Sequence, residues 1–212
     1  MKNHKEDKMT YLEFKKILTD NSRPVILVEG IRNLPESDLE KLIQFGRCLA
    51  EDFPHAVFRT GNARGSDEAF AQGIKAVDPK RLEYVLPYKG YRKKMISQES
   101  CQTALNEMPE TVKERAVHQT LESSPEYRGL MEMRNTVPKL RSKSIYLLRD
   151  TIKVTGAEET GLSPATTGIF YVDRLDPMKG GTGHTVRVCR KQGIPAVFQE
   201  QWLNWCGKAL CD

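Results

Sequence analysis

Cysteine is scarce and poorly arranged for cross-linking: Cys48, Cys101, Cys189, Cys206 and Cys211 are odd in number and widely spaced. They form neither a complete disulfide framework nor a paired CxxC zinc site, and they read as reduced thiols. Histidine is scarcer. His4, His55, His118 and His184 lie far apart without HExxH or HxxxH spacing, so the sequence supports no metal centre. Missing too is any apolar run of membrane-spanning length, and the start, MKNHKEDKMT, has no apolar core to act as a secretory signal. The expectation is a cytoplasmic protein with no membrane partner. No GxxxxGK[ST] occurs, which excludes a Walker-type nucleotide hydrolase, and no complete GxGxxG, which argues against ordinary NAD dehydrogenase chemistry.

What is present is a chain of 212 residues, 39% hydrophobic and 29% charged, long enough to bury a substantial core. One domain over 1–212 is expected. The net charge of +5 is concentrated. Between 128 and 153 stand Arg128, Arg134, Lys139, Arg141, Lys143, Arg149 and Lys153 against only Glu132 and Asp150. Such a run is either a polyanion-binding surface or a solvated helix face.

Periodicity gives the architecture. MTYLEFKKILTD carries a helical stripe, PVILVEG (24–30) reads as a fully buried strand, and SDLEKLIQFGRCLAEDF as a helix capped by Ser37. HAVFRTG is a second strand, SDEAFAQGIKAV a second helix and RLEYVLP a third strand. From 90 to 156 no buried strand is evident; helical segments are expected around 94–106, 109–122 and 126–134. A longer helix, PKLRSKSIYLLRDTIKVTG, follows, with Pro138 in its first turn and Gly156 as its C-terminal cap. The alternation resumes with the strand TGIFYVDR, a glycine loop, the helix HTVRVCRKQG, the strand IPAVFQ and a short C-terminal QWLNWCGKAL. The fold class is therefore α/β: a Rossmann-like, doubly wound, mainly parallel sheet with a helical insertion (about 90–156) between its third and fourth strands.

Such sheets bind ligands at the carboxyl ends of their strands. Three loops there are chemically unusual. EGIRN offers Gly30 and the guanidinium fork of Arg32; TGNARGSDEAF offers Gly61, Asn62, Arg64, Gly65, Ser66 and Asp67; and KGGTGHT offers Gly180, Gly181, Thr182, Gly183, His184 and Thr185. Glycines admit close backbone approach, and a helix starting just after them adds free N–H groups, so the set suits an anion. Glycines that merely turn a corner, with threonine or Ser66 and Asp67 as caps, are the other reading. On the long helix, Ile145, Leu148 and Ile152 form a stripe expected to pack on the sheet. Arg149 and Asp150 stand beside it, where they complete a nucleotide clamp or form only a surface pair. Tyr88 and Tyr91 either stack on a base or fill core.

GNARGSDEAF after the second expected strand and GGTGHTVRVCRKQGIPAV after the fourth resemble the paired signatures of the SLOG superfamily. This Rossmann-like group includes Lonely Guy enzymes, DNA-processing protein A and molybdenum-cofactor carrier-like proteins. The resemblance covers about 24–88 and 145–199, and it implies a nucleotide pocket shared by these loops. Lonely Guy enzymes carry PGGxGTxxE. Aligning the glycines places Val186 and Arg187 where their acidic residues stand, so the resemblance does not carry over phosphoribohydrolase activity.

Three functions stay open: a protein binding or sensing a nucleotide or other phosphorylated small molecule; an enzyme cleaving a glycosidic or phosphate bond, with Asp67, Glu68, Asp150 or Asp173 as acid–base group; and a nucleic-acid-binding protein. Neither a cofactor nor a catalytic residue is identified, and self-association into a homo-oligomer is left open.

Overall fold

The computed structural model describes residues 9–205, so His4, Cys206, Cys211 and the end of the C-terminal segment lie outside the described residues. Helix α1 (Tyr11–Thr19) opens on a capping box between Thr10 and Glu13. Then follow β1 (Val25–Gly30), α2 (Glu36–Asp52), β2 (Val57–Thr60), α3 (Ser66–Val77) and β3 (Leu82–Leu86). The next segments are β4 (Cys101–Ala104), α4 (Glu110–Ser123), α5 (Arg128–Glu132) and α6 (Pro138–Thr155). The chain closes with β5 (Thr167–Tyr171), α7 (Gly180–Lys191), β6 (Ala196–Phe198) and α8 (Gln199–Trp202). The six strands form one parallel sheet in the order β4-β3-β2-β1-β5-β6. This is the expected Rossmann-like architecture.

Strand residues alternate between the two faces. Ile26, Val28, Ile169 and Tyr171 join Phe14, Leu42, Phe45, Phe70 and Trp202 under α1, α2, α3 and α8. Leu27 and Phe170 join Val154, Val186, Val188 and Cys189 under α6 and α7. A third cluster, including Val85, Val112, Leu148 and Ile152, seats α4 and α6, so the expected stripe on the long helix does pack inward.

Three local expectations are corrected. The segment around 94–106 is not helical: it contains two single 3-10 turns and the edge strand β4, with register Glu83↔Cys101 to Leu86↔Ala104. Ser37 does not cap α2; Pro35 holds that position without a side-chain bond, and Ser37 lies in the first turn. The run GGTGHT is not a loop before a helix, because α7 begins at Gly180 itself. By contrast Pro138 stands in the first turn of α6, and Gly156 terminates it at φ 72°. No helix among the described residues is long and apolar enough to cross a membrane.

Candidate functional site

The chain leaves β1 toward β2 on one side and returns beside it as β5, so a crevice opens at the carboxyl ends of β1 and β5, the usual ligand position in such sheets. A cavity of about 560 Å³ lies there. Its walls come from the end of β1 (Glu29, Gly30), the loop after it (Ile31, Arg32), α6 (Lys143, Tyr146, Arg149, Asp150), and the start of α7 with its preceding residue (Lys179, Gly180, Gly181, Thr182). Leu147 of α6, Tyr127, Ala63 and Asp67 complete the lining.

The rim is cationic. Arg32, Lys143 and Lys179 are exposed, and none makes an ion pair with a described carboxylate. Arg32 and Lys143 share this cavity with the N-terminus of α7, whose N-cap position is Lys179 itself; that end has no side-chain cap and no acidic residue in its first turn. The Gly183 amide already bonds Lys179 O at 3.1 Å. The amides of Gly180, Gly181 and Thr182 precede the helical ladder and carry the positive end of the helix dipole. Rings flank the opening: the guanidinium carbons of Arg32 and Arg149 lie 5.7 and 5.6 Å from the Tyr146 ring centre, and Lys143 Nζ lies 5.7 Å from that of Tyr127.

Beneath the rim is a buried charge network. Asp150 Oδ1 accepts from Arg149 Nε at 3.0 Å and Nη2 at 2.6 Å, and pairs with Lys153 Nζ at 3.0 Å. Arg149 Nη1 donates to Gly61 O at 2.8 Å. Lys153 also holds Glu29 Oε2, whose other oxygen, Oε1, is buried without a partner. Burial pushes the Glu29 carboxyl up to about 7, against the pull of the Lys153 charge. Burial would raise Asp150 as well, but the Arg149 and Lys153 charges outweigh it and hold Asp150 below its usual range. Burial would lower Lys153; the facing carboxylates of Asp150 and Glu29 instead hold it raised. Asp150 is thus a fixed anion. Its Oδ2 receives no hydrogen bond from the described residues and points at the α7 entrance, 2.9 Å from where a Cβ on Gly181 would stand.

The expected site residues therefore divide. Gly30, Arg32, Asp67, Arg149, Asp150, Gly180, Gly181 and Thr182 line the cavity. Asp67 is nevertheless saturated: its carboxylate accepts from the amides of Gly30, Gly61 and Ala63, each at 3.2 Å, and so staples two loops together. Gly61 packs on Arg149, and Ser66 is buried with its hydroxyl on Ile31 O at 2.9 Å. Asn62 and Arg64 lie beyond the cavity wall. Arg149 and Asp150 are not a surface pair, being 5% and 3% exposed.

Helical geometry removes the remainder of the glycine run from the site. Gly183 packs against Met178, and Thr185 bonds back to Gly181 O at 3.1 Å. His184 is fully buried, with Nδ1 on Ser124 Oγ at 2.9 Å and Nε2 on Thr151 Oγ1 at 3.0 Å, so both nitrogens are committed to the fold. Burial lowers its pKa to about 4. Of the four acid–base candidates, Glu68 pairs with Arg92 at 2.9 Å and Asp173 caps a turn through the amides of Leu175 and Asp176. Only Asp150 offers a free oxygen to the cavity. Tyr91 is half-buried 6.0 Å from Tyr146, and neither it nor Tyr88 lines the cavity.

Sequence reasoning missed Glu29 and Lys153. The signal for Glu29 was a carboxylate inside the apolar run VILVEG, where a buried charge requires a partner.

The glycines at 65 and 181 now separate. Gly65 stands at φ 79°, and an added Cβ would meet the backbone oxygens of Arg32 and Ile31, the latter at 2.6 Å. Gly65→Val thus reports on folding. At Gly181 the one close neighbour is Asp150 Oδ2. The methyl of Gly181→Ala must displace Asp150 Oδ2, 2.9 Å away, which offsets alanine's helix preference, so that variant is expected to cost about 1 kcal/mol, while Gly65→Val costs more than about 2 kcal/mol. Thermal melts of the two variants check this; equal losses would place Gly181 in the folding core as well.

Among solved structures, that of DNA processing protein A from Helicobacter pylori, described for its single-stranded DNA binding mode, is similar at 16% identity. The match covers 86% of this chain and 67% of that one, with a TM-score of 0.48. No protein-family model matches the chain, and no curated protein matches it in sequence.

Proposed function

We propose that the chain is a single domain that binds a nucleotide or nucleotide derivative in the cavity between β1 and α7, with residues 90–156 supplying one wall. A phosphate sits on the amides of Gly180, Gly181 and Thr182, drawn by Arg32, Lys143 and Lys179. A sugar hydroxyl donates to Asp150 Oδ2, and the base lies against Tyr127 or Tyr146. Asp150 has a second effect: a fixed carboxylate beside the helix entrance repels phosphate, which pushes the anion outward to the lysines and leaves the inner position for a hydroxyl. The observation that carries the reading is the uncapped N-terminus of α7, with Lys179 at its cap position and Arg32 and Lys143 in the same cavity, none of the three paired with a described carboxylate. The likeness of the glycine motifs to the SLOG group supports it.

Isothermal titration with the common nucleoside 5′-monophosphates is the test. The expected result is saturable binding to the parent, weakened at least about tenfold by Gly181→Ala, a loss of about 1.4 kcal/mol. Binding of polynucleotides alone, falling steeply with salt, would instead assign the basic face to nucleic acid and overturn the proposal.

A further inference from the structure

Arg32 and Arg64 are the two arginines that the sequence sets beside the glycine loops, and the structure puts them at different distances from α7. Arg32 lines the main cavity and also a neighbouring cleft of about 390 Å³, formed with Asn33, Arg64, Tyr91 and Arg92. Arg64 lines the cleft but not the cavity. Arg32 is the one residue shared by the two linings. A phosphate on the α7 amides is therefore held without Arg64, and an anion beside Arg64 is held without α7.

The cleft has a fixed frame. Asn62 and Arg92 are the described non-glycine residues with positive φ, at 56° and 47°. Such conformations persist only where the surroundings enforce them. Here each enforces the other. Asn62 Nδ2 donates to Tyr91 O at 3.1 Å and Arg92 O at 3.4 Å, while Arg92 Nη1 donates to Asn62 O at 2.9 Å. Arg92 Nη2 is held by Glu68 at 2.9 Å. This reciprocal latch ties the loop after β2 to the loop after β3. With Arg92 so engaged, the cations left for a ligand are the guanidinium groups of Arg32 and Arg64, both exposed and neither paired with a described carboxylate. Two planar forks on one cleft suit an oxyanion.

We infer that this cleft is a second anion subsite, and that the ligand carries two separated anionic groups, one at the α7 N-terminus and one between Arg32 and Arg64. A 5′-phosphorylated dinucleotide has that chemistry. The inference rests on the proposed function for the first anion. It adds that the two positions act as linked contacts, so that occupying both strengthens binding.

The test compares each common nucleoside 5′-monophosphate with the 5′-phosphorylated dinucleotide of the same base, by calorimetry on the full chain and on Arg64→Ala. Arg64 is exposed and its side chain makes no hydrogen bond or ion pair with the described residues, so the variant is expected to keep the fold. For at least one base the dinucleotide should bind the parent at least about tenfold more tightly, and Arg64→Ala should remove most of that preference while monophosphate affinity stays within about twofold. Monophosphate binding without a dinucleotide preference, a preference that survives in Arg64→Ala, or an equal loss for both ligands would overturn the second subsite alone. No binding by any probe would overturn it together with the proposed function.

Discussion

Lys153→Met should destabilise the fold by about 3–5 kcal/mol at pH 9, where the folded parent holds Glu29 ionised, read from chemical denaturation. The ammonium is buried between Glu29 and Asp150 on the α6 and α7 side of the sheet, and it is the sole described cation bonded to Glu29. Without it Glu29 has no partner on either oxygen. A buried carboxylate in that position is either left charged at high cost or forced to take a proton. Asp150 is less affected because Arg149 still holds its Oδ1 by two bonds. The size of the loss should therefore shrink at pH 5, where Glu29 is protonated in the folded state in any case. The double change Glu29→Met with Lys153→Met should recover at least about half of it, because an apolar pair of similar volume leaves no orphan charge. A loss below about 1 kcal/mol for the single change would mean that solvent reaches the network and that it does not anchor α6.

The second large effect is hidden in the parent by cancellation. Glu29 titrates at about 7 when folded and near 4.5 when unfolded. Between these values the folded chain holds a proton that the unfolded chain has lost, so this group's contribution to stability falls as pH rises from about 4.5 to about 7. His184 behaves oppositely. It titrates at about 4 when folded against 6.5 when unfolded, so the unfolded chain takes the proton first and stability is lost as pH falls from about 6.5 to about 4. The windows overlap and the slopes oppose. Relative to the parent, Glu29→Gln should lose about 2–3 kcal/mol as pH drops across the overlap, and His184→Gln should gain a similar amount. Denaturation midpoints at a series of pH values give both differences. Parallel curves for the three proteins would show that neither group titrates differently on folding.

The sheet was legible because its strands are nearly continuous apolar runs: VILV in β1 and GIFY in β5 are buried on both faces, and a helix of matching stripe lies between most neighbours. β4 escaped because CQTA is a short polar edge strand that exists through its hydrogen bonds to β3, and its first two residues are exposed. The glycine run misled in a different way. Its composition speaks for a loop, since glycine is a poor helix former, yet α7 already includes Gly180. Once the run is helical, each residue turns about 100°, which keeps Gly181 at the mouth and carries His184 inside to Ser124 and Thr151. Asp150 and Lys153 stand one turn apart and their pairing follows from spacing. Glu29, 124 positions from Lys153, meets it only through the β1–β5 crossover.

The aromatic packing on the far side of the sheet has a spectroscopic consequence. Trp202 is fully buried, stacked on Phe45 at 4.6 Å and bonded through its indole N–H to Phe170 O, and Trp205 lies 5.1 Å from Phe14 in the same core. These are the only two tryptophans of the chain, and neither lines the cavity. Emission excited at the indole band therefore follows the docking of α1, α2 and α8, and it stays at short wavelength until that side opens. Neither Tyr127 nor Tyr146, the two rings on the cavity wall, contacts an indole, so tryptophan emission reports that side of the sheet and not the cavity.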